Sequence, residues 1–285
     1  MSGPAAAGTG PAAGPAAGSV VVITGAAGGI GSALAWRWTR EGARLGLLDV
    51  DEARLAELAD ALARVGHCAL ALACDVTDEQ ACKAAVAAVV ARFGGVDVLV
   101  ANAGRTHLSS FADTDTAVFR RIMDVNFFGA LHITKAALPS LRARRGRIAV
   151  LSSVAGFAPL AGRSGYAASK HALHGLFESL RGELDDAGVS VTMVCPSFVR
   201  TAIDERALGG DGGPATEPRT EVGTPLDPDR VADAVVRAVR ERRRLLVLSP
   251  VGKLAWWLSR VAPWAYEAIM LRRMARQQAK ARPRR

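Results

Sequence analysis

The stretch from Ser19 to Glu41 constrains this chain more than any other. Residues 19–24 are β-branched and apolar, the pattern of a strand buried on both faces in a parallel sheet. The strand runs into Gly25, Gly29 and Gly31, and a helical segment follows over Ser32–Glu41. Glycines at such a turn allow unusual dihedrals and a close approach of backbone to a pyrophosphate. The helix N-terminus then presents free N–H groups and the positive end of its dipole. A parallel strand needs a crossover before its neighbour can pair with it, so this opening commits the chain to alternating strands and helices.

That alternation continues. Strands are expected at Arg44–Asp49, Cys68–Cys74, Val96–Ala101, Arg147–Ser153, Ser190–Cys195 and Leu245–Ser249. Helices are expected at Glu52–Val65, Asp78–Phe93, Thr116–Leu141, around Tyr166–Leu180, and at Pro228–Arg242. The pattern predicts a single α/β domain, a Rossmann-like doubly wound, mostly parallel sheet of about seven strands. The second strand ends in Asp49. An acid there accepts hydrogen bonds from an adenosine ribose and repels a 2′-phosphate. No Arg or Lys stands at Val50 or among Gly25–Gly31 to bind such a phosphate. Capping the next helix is the other role open to Asp49, and Asp51 is placed for that as well.

Tyr166 and Lys170 lie four residues apart in a helical segment, on one face. An ammonium beside a phenol favours the phenolate, so the spacing predicts a Tyr166 pKa below the usual value of about 10. Such a tyrosine can exchange a proton with an alcohol or ketone oxygen. Ser153, at the end of an apolar strand, is placed to hold the same oxygen. Asn126 sits mid-helix, where Asn is unfavourable, which asks for a kink with a polar contact or for a function.

Ser153, then Tyr166 and Lys170 with three residues between them, downstream of Thr24, Gly25, Gly29 and Gly31, closely resembles the short-chain dehydrogenase/reductase family. The resemblance spans about Val20 to Pro250. It implies an enzyme in which Asn126, Ser153, Tyr166 and Lys170 are catalytic. It implies cofactor contacts from Thr24, Gly25, Gly29, Ile30, Gly31 and Asp49, from Asp75 and Val76 at the adenine, and from Asn102, Ala103 and Gly104. Tyr166 and Lys170 also touch the cofactor, as do Pro196, Val199 and Thr201, with Thr201 on the nicotinamide carboxamide. Ala101 replaces the first Asn of the family's Asn-Asn-Ala-Gly, and Ser197 the Gly after its Pro. For Asp75 a turn or cap role is the alternative. For Asn102 bracing of the sheet is expected beside the cofactor contact. The implied cofactor is NAD, favoured by Asp49, with NADP as the alternative. The implied reaction interconverts a secondary alcohol and a ketone. An NADPH-dependent carbonyl or 3-oxoacyl reductase is the alternative enzyme, and a cofactor-binding sensor or scaffold at a membrane surface the non-enzyme reading. The full Asn/Ser/Tyr/Lys set speaks against the last. Residues 154–160 are small and mostly apolar, predicting a pocket for a small lipophilic substrate and unsuited to charged ligands. A homodimer or homotetramer is implied by the family.

The formal net charge of +9 suggests nucleic acid until it is located. From Val251 onward there are nine Lys/Arg and one acid, Glu267, so the tail carries nearly all of it. The body is close to neutral, and no nucleic-acid partner is expected. The tail also holds Trp256, Trp257, Trp264 and Tyr266, with its apolar run broken by Arg260, Pro263 and Glu267. Two short amphipathic helices hinged at Pro263 are expected rather than a span. Aromatics with Arg suit a membrane interface. Packing over the pocket or at a subunit interface is the other reading, and both favour a lipophilic substrate. The chain thus divides into an Ala/Gly/Pro segment 1–18 expected to be disordered, a catalytic domain 19–250 and a basic extension 251–285. Residues 1–18 lack the basic start and apolar middle of a signal peptide. Cys68, Cys74, Cys82 and Cys195 show no metal spacing and read as reduced thiols. No metal site is expected, since the histidines form no ligand set. The expected location is the cytoplasm, with the tail peripheral at a membrane.

Overall fold

The computed structural model describes residues 18–158, 160–216, 224–270 and 272. The segment 1–17, expected to be disordered, lies outside them, as do residues 273–285. Seven strands form one sheet: β1 (Val20–Thr24), β2 (Arg44–Asp49), β3 (Ala69–Ala73), β4 (Val98–Ala101), β5 (Arg147–Leu151), β6 (Ser190–Cys195) and β7 (Leu245–Val247). Their order is β3-β2-β1-β4-β5-β6-β7, and every pairing is parallel. After β3 the chain returns to the centre to lay β4 beside β1. That reversal opens a crevice at the carboxyl ends of β1 and β4, the place where such sheets bind ligands.

Both faces of the sheet are covered, which is why its strands read as continuous apolar runs. The period of two within β1 sorts its side chains. Val20 and Val22 pack with α3 (Glu79–Phe93), α5 (Gly129–Ala143) and α6 (Ser164–Glu183). Val21 and Ile23 pack on the other face with α1 (Gly29–Thr39), α2 (Glu52–Arg64) and α7 (Pro228–Arg240). Trp38 and Phe177 are the largest fully buried side chains, one on each face. Burying a side chain of this kind stabilises by roughly 1.5–3 kcal/mol.

The single helix expected over Thr116–Leu141 is instead three pieces: α4 (Thr116–Met123), a π-turn (Asp124–Phe128) and α5. The Gly129 N–H bonds to the Asp124 carbonyl five residues back. The extra residue per turn carries Asn126 inward, where it is 1% exposed, so the kink that an interior Asn predicts is present. The segment after β6 is tied down through Ala215, whose N–H bonds the Ala207 carbonyl. Leu208 is buried, exchanges backbone hydrogen bonds with Thr106 and Leu108, and the Asp115 N–H bonds the Gly210 carbonyl. Residues 217–223 lie outside the described set.

The tail forms α8 (Pro250–Val261) and a further helical stretch over 263–270, with the break at Ala262–Pro263. Small residues let α8 sit close. A Cβ on Gly252 would stand 3.0 Å from Val154 Cγ2, and Ala255 is buried with Phe157, Ala158 and Cys195.

The ends of β1 and β4 are locked together by one threonine and one asparagine. The Thr24 hydroxyl accepts the N–H groups of Asn102 and Ala103, each at 3.0 Å. Asn102 Nδ2 donates to the Thr24 and Gly25 carbonyls at 2.9 and 3.0 Å. Thr24→Val keeps the shape and removes the acceptor from both N–H groups. We expect it to lower unfolding stability by roughly 1–3 kcal/mol in urea titration, with Thr24→Ser close to wild type. Equal stability of the valine variant would show that the clamp contributes nothing.

Candidate active site

A cleft of about 1750 Å³ opens over the clamp, with the turn after β1, the ends of β2 to β6, the N-terminus of α6 and α8 along its walls. The glycine turn forms its floor. Gly25 has φ +63°, and a Cβ there would stand 2.9 Å from Ala103 Cα. At Gly31 a Cβ would lie 2.1 Å from the Gly25 carbonyl oxygen, so only glycine lets α1 start this close to the turn. Gly28 caps α1 without a side chain, and no acid stands in its first turn. Gly29 packs under Thr201, whose Cγ2 would be 2.8 Å from an added Cβ.

Asp49 closes the β2 end. Its Oδ2 accepts the Ala27 N–H at 2.9 Å, and its Oδ1 accepts the Asp51 N–H at 3.1 Å. It therefore braces the glycine turn while lining the cleft. Capping of α2 falls to Asp51, which accepts the Arg54 N–H. Asp75 lines the cleft and also makes the turn contact that its type suggests, accepting the N–H and hydroxyl of Thr77 at 2.9 and 2.8 Å. Val76 borders it and packs over Gly129. Ile30, Asn102, Ala103, Gly104, Pro196, Val199 and Thr201 all line the same cleft.

On the opposite wall stand Ser153, Tyr166 and Lys170. The Ser153 side chain accepts the Ala155 N–H at 3.1 Å, which fixes it at the start of a short 3₁₀ turn. It shares the cleft wall with Tyr166. Lys170 is 4% exposed, and its Nζ donates to the Leu151 carbonyl at 2.7 Å. Nζ lies 5.6 Å from the centre of the Tyr166 ring. Asn126 uses its whole amide. Oδ1 accepts the Arg105 N–H at 2.7 Å, and Nδ2 donates to the Arg105 carbonyl and the Ser169 hydroxyl at 2.9 and 2.8 Å. This ties the strand end at Gly104–Arg105 to α6, with Gly104 wedged between Asn126 and Lys170.

The direction of the Tyr166 shift is opposite to that expected from the spacing. Burial pushes the phenol above its ordinary range, and the influence of Ser153 and the Arg163 charge oppose this only in part. Burial also brings Lys170 down to about 8, and one of its N–H groups is committed to Leu151. The arrangement favours a neutral phenol that donates a proton.

Two charged residues of the wall carry no motif. Arg163, at the N-terminus of α6, pairs with Asp204 at 3.0 Å, with side chains 8% and 9% exposed, and both line the cleft. The pair anchors the segment after Thr201 beside Tyr166. Of the apolar segment 154–160, Val154 and Leu160 line the cleft, and Ala155, Gly156 and Phe157 are buried behind it. His107 is the third residue without a motif. Its Nε2 accepts the Gly165 N–H at 2.9 Å, and burial lowers its pKa, keeping it neutral for that bond. Its neighbours in sequence gave no signal of this. Among the described residues no cluster of side chains could hold a metal.

An all-parallel sheet with a glycine turn, a terminal acid and a Ser/Tyr/Lys wall on one cleft defines an oxidoreductase. The short chain dehydrogenase family model matches residues 19–209, and the chain belongs to that family. Dehydrogenase/reductase SDR family member 7B of Xenopus laevis is 37% identical over 272 residues, covering 93% of this chain and 84% of its own length. A short chain dehydrogenase/reductase from Burkholderia phymatum, solved in complex with NAD, superposes with a TM-score of 0.77 at 28% identity, over 86% of this chain and 93% of that one. An alcohol dehydrogenase from Thermococcus sibiricus, complexed with 5-hydroxy-NADP, gives 0.70 at 28% identity, over 81% and 94%.

The sequence has two tyrosines, Tyr166 and Tyr266. In a Tyr266→Phe background, the absorbance change of phenolate formation reports Tyr166 alone. We expect its midpoint in the free protein above about 10. A midpoint below that value would contradict the dominance of burial.

Proposed function

We propose that the protein is an NAD(H)-dependent oxidoreductase interconverting a secondary alcohol and a ketone on a small lipophilic substrate. The observation that carries this reading is that Ser153, Tyr166 and the buried Lys170, one helical turn from Tyr166, line the same cleft as the glycine turn. The cradle at Gly25–Gly31, which a Cβ at Gly31 would fill, fits a dinucleotide pyrophosphate. Thr24, Gly25, Gly29, Ile30 and Gly31 would hold that group. Asp49 would take the ribose, Asp75 and Val76 the adenine, and Asn102–Gly104 with Pro196, Val199 and Thr201 the nicotinamide half. When bound, the nicotinamide exchanges a hydride with the substrate carbon.

The chain's residues handle the proton and the geometry. In the reductive direction Tyr166 gives its proton to the carbonyl oxygen. Ser153, whose oxygen is occupied by the Ala155 N–H, turns its own proton toward that oxygen and polarises it. Lys170 would hold the nicotinamide ribose, and its charge would stabilise the phenolate left behind. Asn126 keeps Gly104 and α6 in register around Lys170, which supports a proton path to solvent through the π-turn. In the reductive direction the neutral phenol is the form that donates, and in the oxidative direction the same group takes the proton back as phenolate.

The charge of Asp49 supports NAD(H) over NADP(H). Arg54 and Arg206 also line the cleft, beside Asp51, and these cations support the alternative of an NADPH-dependent carbonyl or 3-oxoacyl reductase. Titration of the protein fluorescence separates the two. We expect NADH to bind at least about tenfold more tightly than NADPH, and Asp49→Asn to narrow the gap. Preference for NADPH in the wild-type chain would overturn the cofactor assignment. Tyr166→Phe should lower kcat by about 10²–10⁴-fold with NADH binding nearly unchanged. Undiminished turnover would remove Tyr166 from the mechanism.

A further inference from the structure

Several of the large apolar side chains that the body leaves exposed stand at the mouth of the cleft. Phe111 from the β4–α4 connection, Ile203 from the segment after β6, Val251 and Leu254 from α8, and Ile269 all line the cleft and are all exposed. They come from separate parts of the chain, so the ring is a feature of the tertiary fold and not of one helix. From this rim the apolar surface continues outward along the tail through Trp257, Val261 and Trp264, at 53%, 62% and 74% exposure. Scattered exposed apolar residues are ordinary, but a contiguous set around an opening marks an interaction site.

The charge around this face selects the partner. Lys253 and Arg260 are exposed on α8 and Arg272 just past the second stretch, with Glu267 the exposed acid among them. The sequence beyond them adds Arg273, Arg276, Lys280, Arg282, Arg284 and Arg285 and no acid. Tryptophans beside a cationic segment suit the headgroup level of a bilayer carrying negative lipids. A second copy of the chain would bring the same cations against themselves, a repulsion that a self-complementary contact must overcome. Among the described residues no helix is long and apolar enough to span a membrane. We infer that the protein docks on an anionic membrane surface with the mouth of its active-site cleft against the lipid, and takes its alcohol or ketone substrate from the bilayer.

The docking is independent of the reaction, whereas the substrate source rests on the oxidoreductase reading. The two are tested apart. The full chain is mixed with vesicles of phosphatidylcholine alone, or of phosphatidylcholine with phosphatidylglycerol, and sedimented. We expect binding to the anionic vesicles and its weakening by salt. Trp257→Ser with Trp264→Ser should lower the partition coefficient by about tenfold or more. Neither residue lines the cleft, so reduction of a short water-soluble ketone should be unchanged while that of a vesicle-embedded ketone falls. In the unmodified chain, lipids brominated along the acyl chain should quench tryptophan fluorescence, a measurement that needs no variant. No sedimentation and no quenching would overturn the docking. So would an oligomer that dissociates in the double variant, which would assign the face to a second copy. Docking with equal turnover of both ketones in the wild type and the double variant would overturn only the route from the bilayer. Loss of turnover on every ketone in the wild type would instead strike the oxidoreductase reading and leave the docking standing.

Discussion

The clamp between the carboxyl ends of β1 and β4 is the constraint on which the rest depends. Two N–H groups share one threonine hydroxyl, and one asparagine amide holds two carbonyls across the gap. Parallel strands splay apart where their ladder ends, and the crevice at the reversal of strand order would widen without a tie. Because Gly25 lacks a side chain, the turn lies directly on Ala103. The glycine cradle and the start of the β4–α4 connection therefore belong to one rigid floor. Everything above it, from Asp49 to Lys170, is placed relative to that floor.

Burial sets the electrostatics above it. A phenol and an ammonium taken from water both shift toward their neutral forms. For Tyr166 this opposes the effect of a nearby cation, and here it is the larger of the two. The site thus stores a proton on the phenol. Ser153 is fixed by Ala155 and Lys170 by Leu151, so little reorganisation is needed when charge develops on a substrate oxygen. The Arg163–Asp204 pair does the same for the segment after Thr201, holding it beside Tyr166 together with the backbone hydrogen bonds of Leu208.

Much of this was legible in the sequence because the signals are local. Strands buried on both faces are unbroken apolar runs, and the sheet followed from them. The glycine turn, Asp49, Ser153 and the Tyr166–Lys170 spacing each sit within a few residues of the element that positions them. What was not legible depends on partners far along the chain. Arg163 meets Asp204 from an irregular segment with no period to read. The π-turn inserts one residue without a composition signal beyond Asn126 itself. The sign of the Tyr166 shift depends on how completely α4, α6 and the post-β6 segment enclose the ring. The tail was readable as two amphipathic pieces, but its place along the cleft depends on Gly252 and Ala255, small residues whose importance shows only in contact.

The cleft joins a polar floor suited to a dinucleotide to an apolar mouth, and the account links the two by hydride transfer. The most direct test follows the hydrogen itself. Incubating the protein with NADH carrying deuterium at both C4 positions and a lipophilic ketone, with mass spectrometry of the product, reads where it goes. The account predicts an alcohol bearing one deuterium on the carbinol carbon for each NADH consumed. An alcohol without deuterium at that carbon, or NADH consumed with no alcohol formed, would contradict it.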